Sequence, residues 1–152
     1  MLTLRTPHPI RDAQAEAGGR DLGPLPDWDL TDLYPAPDAA EVTRDLDWLR
    51  DECAAFAADY EGKLAKLDAS AMLRLIQRHE AIEATAGRLM SYAGLRYYQQ
   101  TTDPARTKFL SDTQEKITTY TTPLVFFTLE LNRLEDAHLD TLLEADPALA
   151  RY

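Results

Sequence analysis

Residues 38–60 read Asp38-Ala39-Ala40-Glu41-Val42-Thr43-Arg44-Asp45-Leu46-Asp47-Trp48-Leu49-Arg50-Asp51-Glu52-Cys53-Ala54-Ala55-Phe56-Ala57-Ala58-Asp59-Tyr60. Val42, Leu46, Leu49, Cys53, Phe56 and Tyr60 recur in alternating steps of four and three, which sets them on one stripe of an α-helix. Asp38 with Glu41 three residues on makes a capping-box pattern, in which each side chain satisfies an orphan backbone N–H. Gly62 follows as a C-terminal stop.

Downstream, a second stripe starts at Asp68 or Ser70 and continues through Met72, Ile76, Ile82, Ala86, Leu89 or Met90, Ala93 and Tyr97 to about Gln100. Such a helix is roughly 45 Å long at ~1.5 Å per residue. Gly87 and Gly94 lie inside it, and each costs about 1 kcal/mol of helix propensity relative to alanine. They are expected to let another helix approach closely or to mark a bend. Thr101-Thr102-Asp103-Pro104 is a break and a restart, with Asp103 as N-cap and Pro104 at the first helical position, where no N–H is missed. The third stripe is Leu110, Thr113, Ile117, Tyr120, Leu124, Phe127 and Leu131. Pro123 falls within it and predicts a kink or one-turn break near Thr122, with Thr118, Thr119, Thr121 and Thr122 available to bond freed carbonyls. A shorter helix is expected from Asp136 to Glu144, with Leu139, Leu142 and Leu143 inward. Asp146-Pro147 then reads as the start of one more, cut short at Tyr152.

Upstream, Trp28-Asp29-Leu30-Thr31-Asp32-Leu33-Tyr34-Pro35 reads as an extended segment that pins its aromatics onto a neighbouring surface, and Pro35 and Pro37 separate it from the first helix. Residues 1–26, with Gly18-Gly19, Gly23, Pro7, Pro9, Pro24 and Pro26, lack periodicity and read as a flexible leader. No β-branched alternation bounded by hairpin turns occurs, and no repeat of fixed period. The expected class is all-α, long antiparallel helices joined by short connections, with residues 27–152 as one helical domain.

The 152-residue chain has 45% hydrophobic residues and a formal net charge of −10. That charge repels phosphate backbones and anionic lipid headgroups, so nucleic acid and membrane surfaces are set aside as partners. No signal-peptide stretch and no run of about 18 apolar residues is present, which points to the cytoplasm. Cys53 is the single cysteine and sits on an apolar stripe, so it reads as a small buried hydrophobe in a reducing compartment.

His79-Glu80-Ala81-Ile82-Glu83 invites comparison with the helical zinc motif H-E-x-x-H, whose histidines share a face while the glutamate activates the metal-bound water. Here the fifth residue is Glu83, and His8 and His138, the other histidines, supply no third ligand at a recognisable spacing. The stretch is read as lying on or beside a solvated helix face. The same holds for the carboxylate pairs Asp45 with Asp47 and Glu135 with Asp136. No Lys-Ser/Thr follows Gly18-Gly19 or Gly23, and no G-x-S-x-G elbow occurs. Of the aromatics Tyr92, Tyr97, Tyr98, Phe109, Tyr120, Phe126 and Phe127, most are expected in the core. Tyr97 and Tyr98 point about 100° apart on a helix, so both are not expected to be buried.

Several stretches together resemble the N-terminal region of oligoendopeptidase F, a thimet-oligopeptidase-like zinc metallopeptidase family. They are Trp28 to Pro35, Gly62-Lys63-Leu64, Ser91-Tyr92-Ala93 with Leu95 and Tyr97, Thr101-Thr102-Asp103-Pro104, and Pro123-Leu124-Val125-Phe126-Phe127-Thr128-Leu129-Glu130-Leu131. The resemblance spans roughly residues 27–152. It implies a nearly all-helical protein closed around a deep channel, with zinc in a C-terminal catalytic domain that carries H-E-x-x-H and a downstream glutamate ligand. It also implies that the helices seen here wall the channel and admit short peptides. No zinc ligand or catalytic glutamate of the family matches a position here, so no catalytic, cofactor-binding or metal-ligating residue is assigned. The expected partners are the downstream catalytic domain and short peptide substrates, and the chain is expected to be a fragment of the longer protein. The alternative is a free-standing helical module that self-associates through its heptad-like stripes at 42–60 and 110–131. A regulatory pseudo-peptidase is a more distant one.

Overall fold

The computed structural model describes residues 27–152, and the expected leader, with His8, lies outside the described residues. Five α-helices follow in order: α1 (Ala40–Tyr60), α2 (Ala69–Gln99), α3 (Pro104–Thr121), α4 (Val125–Leu131) and α5 (Asp136–Ala145). Single 3-10 turns occupy Leu64–Lys66, Thr122–Leu124 and Leu149–Arg151. No described residue lies in a strand, so the fold is all-α, as the stripes predict.

Local signals set most helix ends. The Asp68 carboxylate accepts from the Ala71 N–H at 2.7 Å, which fixes the start of the 31-residue α2. Asp103 accepts from the Ala105 N–H, with Pro104 as the first residue of α3. Gly62 takes φ of +75° just past α1, a left-handed conformation that glycine adopts without strain. At Pro123 the chain makes its one 3-10 turn between α3 and α4. The Thr121 and Thr122 hydroxyls donate to the carbonyls of Ile117 and Thr118 there.

The capping box does not form. α1 begins at Ala40 with Ala39 as N-cap, and no side chain bonds the first turn. The reason is a hydrogen-bonded turn from Ala36 to Ala39, which delays the helix by one residue. Asp38 then precedes the cap and Glu41 becomes the second helical residue, where it can still favour the positive end of the helix dipole.

Partners across the interfaces fix the topology. Arg78 meets Glu52 and Asp59, and Arg88 meets Asp45, so positions on α2 rise as those on α1 fall. Tyr92 meets Phe109, and Arg106 bonds the Arg96 carbonyl and Gln99, which makes α3 antiparallel to α2. α1, α2 and α3 all pack on one another, and α5 packs against α2. Val42, Leu49, Cys53 and Phe56 from α1 and Met72, Leu75, Ile82, Ala86, Leu89 and Tyr92 from α2 form the centre of the core. Each such aliphatic or aromatic side chain contributes about 1.5–3 kcal/mol on burial. Phe126 and Phe127 of α4 close one end against Phe56, with ring centroids 6.0 Å apart in both pairs.

Several expectations are corrected. Trp28 is exposed, and Tyr34 is the aromatic that the 28–35 segment buries. Leu142 is buried, but Leu143 stays 42% exposed, because it borders an unfilled apolar hollow between α2 and α5. A Cβ at Gly87 would meet nothing within 4 Å, and one at Gly94 only the Tyr98 ring at 4.0 Å, so neither glycine admits a packed helix. Asp146 accepts from the Ala148 N–H, but the chain beyond it makes only a single 3-10 turn. Asp45, expected on a solvated face, is buried.

Candidate functional site

Asp45 stands on the apolar stripe of α1, between Val42 and Leu49, and can be buried there only because partners reach it. The Tyr34 hydroxyl donates to its Oδ2 at 2.8 Å, Arg44 bonds Oδ1 at 3.0 Å, and Arg88 of α2 bonds Oδ2. The Arg88 guanidinium also lies 5.1 Å from the Tyr34 ring centroid, a cation–π contact. Burial alone would raise the Asp45 pKa, but the hydrogen bonds from Tyr34 and Arg44 and the Arg88 charge outweigh it and hold the carboxyl below its usual range. Burial, and then the bond to Asp45, push the Tyr34 phenol up to about 12. This cluster ties the 28–35 segment to both long helices. It is a joint: every acceptor of Asp45 that could serve a substrate is already occupied by the protein.

A second joint lies at the other end of α1. Glu130 of α4 accepts from the Gly62 N–H at 2.6 Å and from the Leu64 N–H at 3.4 Å. These amides belong to the turn that leaves α1, so one carboxylate satisfies backbone donors 68 and 66 residues away.

The 79–83 stretch is not wholly a solvated face. Glu80 and Glu83 are exposed, but the His79 ring is half-buried and stacks on Phe127 with centroids 4.4 Å apart, beside Phe56 at 5.9 Å. Desolvation lowers the His79 pKa, and Glu83, with Oε1 3.9 Å from Nε2, works against the shift. The side chain serves as an aromatic packing element at the α1–α2–α4 junction. Among the described residues, no group of three or more His, Cys, Asp or Glu side chains converges as a metal site would require. Cys53 is fully buried, and desolvation raises its thiol to about 11, which disfavours the reactive thiolate. Tyr97 is half-buried and Tyr98 exposed, in line with their 100° separation.

Several hollows mark the surface of the described residues. An apolar one of about 270 Å³ lies between α2 and α5, lined by Met72, Ile76, Leu139, Leu142 and Leu149 with Tyr152 at its edge. The Tyr152 hydroxyl donates to Glu80 at 2.7 Å. A second hollow of about 310 Å³ lies between Pro37-Asp38 and the α2–α3 connection, where Arg96, Asp103 and Arg106 line it beside the apolar Ala105 and Phe109.

Sequence reasoning expected the packing of Tyr34 but missed Asp45, Arg88, Glu130 and Arg96 as structural or binding side chains. For Asp45 a signal existed, a carboxylate on the apolar stripe of α1. For Glu130 and Arg96 none did, because their surroundings come from distant segments. No family model, no curated protein and no solved structure matches this chain.

Proposed function

We propose that this chain is the helical N-terminal wall of a zinc oligopeptidase of the oligoendopeptidase F type. In that reading a downstream domain carries the H-E-x-x-H zinc site and hydrolyses short peptides in the cytoplasm. The single observation that carries the reading is where the resembling stretches sit in the fold. Tyr34 of the Trp28–Pro35 stretch packs on Tyr92 of Ser91-Tyr92-Ala93, with ring centroids 5.2 Å apart. Glu130 of the Pro123–Leu131 stretch clasps Gly62 and Leu64. Four of the resembling stretches therefore meet one another in the fold, which supports the reading. No described helix is long and apolar enough to cross a membrane.

On this reading the chain supplies shape rather than chemistry. Its helices restrict access, and zinc in the downstream domain would polarise the scissile carbonyl and activate water. The test is the natural reading frame beyond codon 152. It should encode several hundred further residues with H-E-x-x-H, and the whole protein should bind stoichiometric zinc and cleave short peptides but not folded proteins. A frame lacking that motif, or a whole protein inert toward peptides, removes the reading.

Self-association is the second reading. The 42–60 stripe is consumed inside the chain, so it would use Val125 and Leu129, which lie four residues apart on α4 and are 61% and 52% exposed. Sedimentation velocity on Val125→Glu/Leu129→Glu tests it: the parent must be an oligomer and the variant a monomer.

A further inference from the structure

Arg78, Arg96 and Arg106 are the half-buried arginines among the described residues. Arg78 is paired with Glu52 and Asp59, and Arg106 with Asp103. Arg96 has no carboxylate partner among the described residues, although the chain holds 26 acidic residues against 16 basic ones. Its Nε is buried and without a hydrogen-bond partner. One face of the guanidinium is covered by the buried Tyr92 ring, whose centroid is 5.6 Å from Cζ. An arginine held in place this way, with donors unspent, is a poor structural choice, since an unsatisfied buried donor costs about 1–3 kcal/mol. It is a good binding choice, because the planar fork matches a carboxylate and its position is already fixed.

Arg96 lines the hollow of about 310 Å³, whose walls mix charged side chains with Ala105 and Phe109, and also a smaller one lined by Trp28, Asp29 and Gln99. The walls of both are held. Gln99 donates to the Trp28 carbonyl at 2.8 Å and accepts from Arg106 at 2.9 Å. Asp29 is committed to Thr31, and Asp103 to the Ala105 N–H and Arg106. Asp38 lines the larger hollow together with Arg96 and has no hydrogen-bond or ion-pair partner among the described residues.

We propose that this hollow binds a carboxylate, the C-terminal carboxylate of a short peptide, with Arg96 as its anchor and Asp38 receiving a peptide N–H. A compact volume at the lower end of ligand pockets suits one or two residues of such a ligand. Asp38 and Asp103 on the same walls disfavour a doubly charged phosphate and tolerate a singly charged carboxylate with an N–H beside it. The proposal stands on this geometry and does not need the peptidase reading, since it concerns binding and not hydrolysis.

The experiment uses the 152-residue chain with three probes: N-acetyl-Ala-Ala, its C-terminal amide, and inorganic phosphate. Affinity is read by calorimetry, and the arginine Nε–H signals by 1H–15N NMR, with Arg96 assigned through Arg96→Gln. The acid is expected to bind about tenfold or more tightly than the amide, to move the Arg96 Nε–H signal, and to weaken about tenfold in Arg96→Gln. Phosphate is expected to bind more weakly than the acid. The acid–amide comparison is made on the parent chain, so it stands even should Arg96→Gln fold poorly. Equal binding of acid and amide, a preference for phosphate, or no binding with an unmoved Arg96 signal each overturns the proposal.

Discussion

Replacing Asp45 with alanine is the sharpest perturbation of this fold. The side chain is 9% exposed and receives Tyr34, Arg44 and Arg88. Its loss leaves the buried Tyr34 hydroxyl without an acceptor, at about 1–3 kcal/mol. The two arginines are different. The side chains of Arg88 and Arg44 are 43% and 66% exposed, so both can turn to water, and their lost pairing adds only about 0–1 kcal/mol. The expected total is roughly 1–4 kcal/mol, or a fall in Tm of about 2–16 °C for a chain of this size. Tyr34→Phe keeps the ring over Tyr92 and removes only the donor, so it should cost about 1 kcal/mol. The two changes share one bond, so the double variant should cost less than the sum of the singles by 0.5 kcal/mol or more. Urea titrations followed by circular dichroism at 222 nm measure all four chains. Asp45→Ala within about 0.5 kcal/mol of the parent, or strict additivity with Tyr34→Phe, would refute the claim that this joint holds the 28–35 segment. The pH dependence gives a second check. The folded Asp45 pKa is lowered, so its contribution is complete above the unfolded value of about 3.9 and disappears as pH falls below it. The Tyr34 pKa is raised to about 12, so its contribution is present below about 10 and is lost as pH climbs from there.

Gly87→Ala should stabilise the chain by about 0.5–1 kcal/mol, because a Cβ there meets nothing within 4 Å and the helix gains propensity; a loss of stability in urea titration would contradict the open surface described. The His79 pKa is lowered by burial, so the unfolded state takes up its proton first and stability should decline as pH drops through about 6.5. His79→Leu should flatten that decline, and an unchanged pH slope would show that the ring is not desolvated as placed. Cys53 should resist a thiol reagent in the native chain at pH 8 and react on unfolding, since it is fully buried with its pKa raised to about 11; prompt native labelling would place it elsewhere.

Much of this architecture is written locally. The 4-3 stripe of residues 42–60, the Asp68 and Asp103-Pro104 starts, the Gly62 stop and the Pro123 break each depend on side chains within a turn or so of the backbone they govern. Such signals survive in a bare sequence because the forces behind them, capping bonds and the helical period, act over a few residues. The failures near them share one cause. Asp38 and Glu41 have the right spacing for a box, but the turn at 36–39 shifts the helix start. Leu143 fits an inward pattern and Gly87 suits a close helix approach, but Leu143 stays partly exposed and no atom lies within 4 Å of a Cβ at Gly87.

Tertiary structure alone decided the fate of the charges. The helical period turns Asp45 toward the apolar stripe and Asp47 away from it, yet the Asp45 carboxylate can be buried only because Tyr34 and Arg88 arrive from 11 and 43 residues away. Glu130 likewise becomes a clasp only when α4 folds back to the turn after α1, and Arg96 acquires its hollow only when Pro37-Asp38 and α3 close around it. A helix is specified by its own residues, but whether a carboxylate or guanidinium on it faces water, a partner or an empty site is set by long-range contacts that no local pattern encodes.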